Sequence, residues 1–118
     1  MGLDMSLLGD HSQELISWRK ANYIHRFFTG DRYFDNDINC TFMPIPYSKL
    51  EELRNICKTI LIDREQAPKL LPTCEGFFFG SREYDENYFY NIVETLTKLE
   101  IILYKYDPEF TFQYYADW

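Results

Sequence analysis

The sequence predicts an α+β fold, mainly α, in which three helices pack with a small two-stranded antiparallel ribbon. Two observations predict it. Three stretches space their apolar residues by threes and fours, which is the mark of an amphipathic helix. Two short stretches, 40–45 and 110–115, are instead built from strand-forming residues. The 118 residues are read as a single domain, 1–118, with 1–12 a weakly ordered N-terminal extension.

The first helix is expected over 13–29, where Leu15, Trp18, Ala21, Ile24 or His25, and Phe28 share a face. Ser12 is its N-cap and Gly30 its stop. A polar turn follows over 31–39, with Asp35-Asn36-Asp37 at its tip. Residues 40–45 alternate, but Pro44 and Pro46 exclude them from the middle of a sheet and make an edge strand. Ser48 opens the second helix with a capping-box spacing to Glu51. Leu50, Leu53, Cys57, Ile60 and Leu61 form its stripe, which fades near Asp63. Pro68 and Pro72 bound the next connection. Asp85 caps the third helix, whose stripe of Phe89, Ile92, Val93, Leu96, Leu99 and Leu103 is the strongest in the chain. Asp107-Pro108 ends it. The segment 110–115, FTFQYY, is then a strand that pairs antiparallel with 40–45. Trp18, Leu53, Ile60, Leu96 and Leu99 should meet in the core.

Aromatic residues make up 19% of the chain, more than a core this small encloses, so many tyrosines belong at a half-buried rim or an interface. The net charge is −7, with −1 in residues 1–59 and −6 in 60–118. Such a balance opposes direct nucleic-acid binding through phosphates and favours a basic partner. Cys40, Cys57 and Cys74 are odd in number and widely spaced, which supports neither a zinc site nor a disulfide framework. Reduced thiols, no metal and no cofactor are therefore expected. There is no secretory signal and no apolar run of membrane-spanning length, so the reading is of a cytoplasmic protein away from membranes.

Two constellations stand out as candidate sites. On the expected first helix, Arg19, Asn22 and Arg26 share one face with His25 beside it, a set of forked and directional donors suited to an anion or an acidic partner. The same arginines would equally serve as ion-pair partners of the acidic C-terminal half. The second constellation is Phe77-Phe78-Phe79, bracketed by Gly76 and Gly80 and followed by Glu83, Tyr84 and Asp85. Three adjacent aromatics cannot all face one side of an element, so at least one points to another surface. Gly80 is followed by Ser81-Arg82 rather than Lys-Ser/Thr, so this is no phosphate loop. Residues 35–39 lack the glycine and terminal glutamate of a calcium loop. No nucleophile stands in a catalytic signature around His25.

Trp18-Arg19-Lys20-Ala21-Asn22 with Ile24-His25, then Leu71-Pro72-Thr73, then Gly76–Ser81 with Glu83-Tyr84-Asp85, together with the aromatic segment before Trp118, resemble a family of small uncharacterised bacteriophage and prophage proteins. Cys74 departs from the polar residue expected at its place. The resemblance implies a phage accessory protein working in the host cytoplasm and transfers no catalytic residue. The resulting expectation is a small acidic binding protein that inhibits or modulates a host protein, such as a nuclease or defence component, by occupying a surface. The alternative is a binder of an anionic small molecule or nucleotide that uses a basic-aromatic pocket. Homo-oligomerisation is left open.

Overall fold

A computed structural model of the chain describes residues 2–76 and 79–118. In chain order the elements are β1 (Asp4–Leu8), β2 (Glu14–Arg19), α1 (Asn22–Thr29), β3 (Met43–Pro46), α2 (Tyr47–Ile62), α3 (Ala67–Leu70), α4 (Glu86–Lys105) and β4 (Thr111–Asp117). The strands form one antiparallel sheet in the order β2-β1-β4-β3. Four helices and a four-stranded sheet thus replace the expected three helices and two-stranded ribbon.

The correction begins at the N-terminus. The extension expected over 1–12 contains β1, an interior strand. Leu3, Met5 and Leu7 alternate with Asp4 and Ser6, and all three apolar side chains are buried. β1 pairs with β2 on one side (Asp4↔Arg19) and with β4 on the other (Asp4↔Asp117). The helix expected over 13–29 is also two elements. Ile16 and Trp18 are buried while Ser17 and Arg19 are exposed, a two-residue period. Lys20 then takes a left-handed φ of 58° and breaks the strand before α1. Gly30, at φ 75°, closes α1 by donating its N–H to the Arg26 carbonyl.

The pairing of the two segments first read as strands is present, with Met43↔Tyr114 and Ile45↔Phe112, and β3 is an edge strand. It lies over 43–46 rather than 40–45. β3 runs directly into α2, and the extended Pro46 serves as N-cap without a side-chain bond. Ser48 therefore sits inside the helix and forms no capping box. Asp85 does cap α4, accepting the Tyr88 N–H at 3.1 Å. Asp85→Ala should lower stability by about 1 kcal/mol. Asp85→Ser should retain most of it in the same urea titration.

All helices lie over one face of the sheet. Met5, Ile16, Phe112 and Tyr114 from the strands meet Leu50, Leu53 and Ile60 of α2 and Ile92, Leu99 and Ile102 of α4. Trp18 reaches α4 by donating its indole N–H to Thr95 at 2.8 Å. Thr95, rather than Leu96, belongs to the buried face of α4. Leu96 is half-buried and Val93 is exposed, because the helix is rotated to meet Trp18. The opposite face of the sheet is polar, with Arg19 paired to Asp4 at 3.8 Å and Ser6 donating to Glu14 at 2.7 Å. Among the described residues, no helix is long and apolar enough to cross a membrane.

Candidate functional site

The break after β2 creates the site. Lys20, in its left-handed turn, lies against Gly80, itself at φ 96°. A Cβ on Gly80 would stand 2.7 Å from the Lys20 Cβ and 2.8 Å from its carbonyl oxygen, so only glycine permits this approach. Below the contact, Asn22 holds both limbs of the 74–81 segment. Its amide nitrogen donates to the carbonyls of Phe79 at 3.1 Å and Ser81 at 2.9 Å, and its oxygen accepts the Cys74 N–H at 2.9 Å. The result is a cleft of about 210 Å3 lined by Arg19, Lys20, Tyr23, Gly80, Ser81, Glu83, Asp85, Asn87 and Tyr88.

Stacked tyrosines form the apolar wall. The rings of Tyr23 and Tyr88 lie 4.3 Å apart. Tyr88 donates its hydroxyl to the Leu71 carbonyl at 2.8 Å, and Tyr23 accepts from Asn91 at 2.7 Å. Burial pushes the Tyr23 hydroxyl up to about 12, so it stays protonated at any ordinary pH. The rim carries both signs of charge, Arg19 and Lys20 against Glu83 and Asp85.

The residues singled out in the sequence fall in different places. Arg19, Glu83 and Asp85 line the cleft. Tyr84 supports it from behind, its hydroxyl accepting the Thr73 N–H at 3.1 Å. Asn22, His25 and Phe79 are interior. Arg26 points to another side, paired with Asp31 at 3.3 Å and set over the Tyr33 ring at 5.8 Å. Neither Arg19 nor Arg26 is paired with Glu83 or Asp85. The readings that fell on Phe77 and Phe78 lie outside the described residues. Tyr23, Ser81, Asn87 and Tyr88 were not singled out. The one signal pointing to them was Gly80, whose partner in close approach is known only once the chain is folded.

His25 sits in an aromatic cage. Phe79 and Trp118 each present a ring centroid within 5.3 Å of the imidazole. The Tyr33 carbonyl can only accept, so Nε2 carries the proton and Nδ1 accepts the Tyr114 hydroxyl at 2.7 Å. Burial lowers this imidazole to about 4, against a smaller opposing effect of the Tyr33 carbonyl. Both nitrogens are thus occupied and the ring is neutral near pH 7. Burial also pushes the thiols of Cys57 and Cys74 up to about 12 and about 11, the reverse of an activated nucleophile. Among the described residues, no group of three His, Cys, Asp or Glu side chains is placed to hold a metal ion.

No family model matches the chain, and no solved structure matches it. The chain is similar to the Mus musculus protein described as ubiquitin thioesterase OTUB2, with 33% identity over 97 residues. The match covers 80% of this chain and 41% of the mouse protein, so the chain spans about two fifths of that relative's length.

Proposed function

We propose that this chain is a binding protein that occupies a surface of a partner protein, with the cleft between Arg19 and Asp85 at the centre of the contact. Following the resemblance to phage and prophage proteins, the partner is a host protein such as a nuclease or defence component. The observation that supports this reading is the size and charge of the cleft. Sites that enclose a small ligand run to about 300–1,000 Å3, whereas this one has about 210 Å3. Its rim offers Arg19 and Lys20 on one hand, Glu83 and Asp85 on the other. A nucleotide phosphate drawn to the cations would also face two carboxylates. Phe79, one of the aromatics of the basic-aromatic alternative, is 2% exposed and so presents no face for a base to stack on. A protein surface with charges of both signs is the better complement.

Thioester hydrolysis, the activity in the mouse relative's name, is not carried over. The match covers a minority of that protein. Both buried thiols here are held protonated, and both nitrogens of the buried histidine are engaged.

The test is capture from a bacterial host lysate with wild type, Arg19→Glu and Glu83→Lys. Both positions are exposed, so circular dichroism should show all three folded. Each reversal should reduce the captured protein by roughly tenfold. Undiminished capture by both variants would move the contact elsewhere. A melting temperature raised by ATP or inorganic phosphate, and lost in Arg19→Glu, would instead favour the small-anion alternative.

A further inference from the structure

The outer face of α4 carries a second, separate surface. Tyr90, Val93, Ile101 and Tyr104 are 61%, 46%, 53% and 91% exposed. Scattered exposed apolar residues are ordinary, but four on one helical stripe form a patch. With Thr97 between them, their spacing along the helix is three, four, four, three. At 100° per residue, these five side chains fall within about 40° of one line along the helix. The spacing reads the same from either end. A helix running the opposite way presents the same pattern back.

We propose that this stripe is the interface of a homodimer, in which α4 packs antiparallel against α4 of a second copy about a two-fold axis at Thr97. The register then sets Tyr90 against the partner's Tyr104, Val93 against the partner's Ile101, and Thr97 against its own counterpart. A two-fold contact must be self-complementary in this way.

Charge fixes the same register. Glu94 and Lys98 flank the stripe on its β2 side, and a two-fold axis across the helix keeps that flank beside its own copy. Glu94 lies three residues before the axis and Lys98 one residue after it. Glu94 of each chain therefore comes within about one helical turn of the partner's Lys98, giving two symmetric ion pairs. Lys98 has no ion-pair partner among the described residues. On the other flank, Glu100 already takes Lys58 at 3.3 Å and Arg54 at 3.8 Å, so that side arrives neutralised. A parallel two-fold pair would instead set this flank against the partner's opposite flank, so that Glu94 and the partner's Lys98 would not meet. The stripe is about 21 Å long, at the small end for a specific interface, so the dimer should form with rising concentration rather than be obligate.

Sedimentation velocity across a concentration series is the test. Wild type should pass from monomer to dimer. Ile101→Glu, at an exposed position that leaves the core intact, should weaken association at least about tenfold. Glu94→Lys and Lys98→Glu should each weaken it, and the double variant should recover to within about threefold of wild type. A wild-type chain that stays monomeric at every concentration would overturn the proposal. So would a dimer that Ile101→Glu leaves unchanged, or a double variant no better than either single one.

Discussion

Asn22→Ala is expected to destabilise the protein by roughly 2–6 kcal/mol, a large part of the margin of a domain this size. The side chain is fully buried and makes three hydrogen bonds, all to backbone of the 74–81 segment. Removing it strands the Cys74 N–H and the Phe79 carbonyl inside the protein, where each unpaired group costs about 1–3 kcal/mol. The Ser81 carbonyl is nearer the surface and can recover water. Asn22→Asp keeps the shape but sets a carboxylate against two carbonyls, so it should be at least as damaging. That pair of variants separates polarity from volume. A denaturation midpoint for Asn22→Ala within about 0.5 kcal/mol of wild type would show that the clamp contributes nothing. The same loss should open the cleft, since Gly80 and Ser81 are held against Lys20 from below. Protease cleavage within 74–85 is expected to rise in step.

Acid should weaken the fold through His25. Its imidazole titrates at about 4 when folded and near 6.5 when unfolded. Between those values the unfolded chain binds a proton that the native protein refuses. Stability therefore rises with pH across this window. The contribution is fully present above about pH 6.5 and shrinks by about 1.4 kcal/mol per unit as pH falls. About 3 kcal/mol should be gone once the pH passes below the folded value. His25→Leu removes the titration. That variant should start less stable, because the Tyr114 hydroxyl loses its acceptor, yet show a much flatter profile between pH 6.5 and 4. An unchanged wild-type slope in His25→Leu would assign the acid sensitivity to other groups.

The parts of the fold legible in the sequence were those whose pattern admits one reading. α4 is long, its buried face repeats every three or four residues, and Asp85 stands at its start. α2 shows the same for Leu50, Leu53, Cys57 and Ile60. The segment 13–29 misled because Leu15 and Trp18 fit a helical stripe while Ile16 and Trp18 fit a strand, and only the neighbouring β1 decides between them. β1 itself alternates without fault from Leu3 to Leu7. Its place at the chain terminus argued for an extension, and a two-stranded ribbon required no further strand. Once those two strands are restored, the sheet has four.

The site was half legible for a related reason. Glu83 and Asp85 could be named because an acidic, tyrosine-rich run after a glycine is conspicuous. Arg19 and Arg26 share a face only if 19–26 is one helix. The break at Lys20 sends them to different sides. Asn22 and His25 look like surface donors in a sequence, since nothing local announces that Cys74, Phe79, Ser81, Tyr33 and Tyr114 will satisfy them.

The position of β1 between β2 and β4 sets an order of events during synthesis. β1 is made before the other three strands and pairs along its whole length with β4, the last of the four to be made. A nascent chain can join β1 to β2 and can form α2 and α4, all from local or nearly local contacts. It cannot close the sheet until 111–117 have left the ribosome. Until then β1 keeps one edge unpaired, and β3 has no strand to pair with at all. Closure of so long a loop is the slow step in a topology of this kind. A product ending before Thr111 would lose the centre of its sheet rather than an edge. Such fragments are expected to persist as protease and chaperone clients, not as smaller versions of the protein.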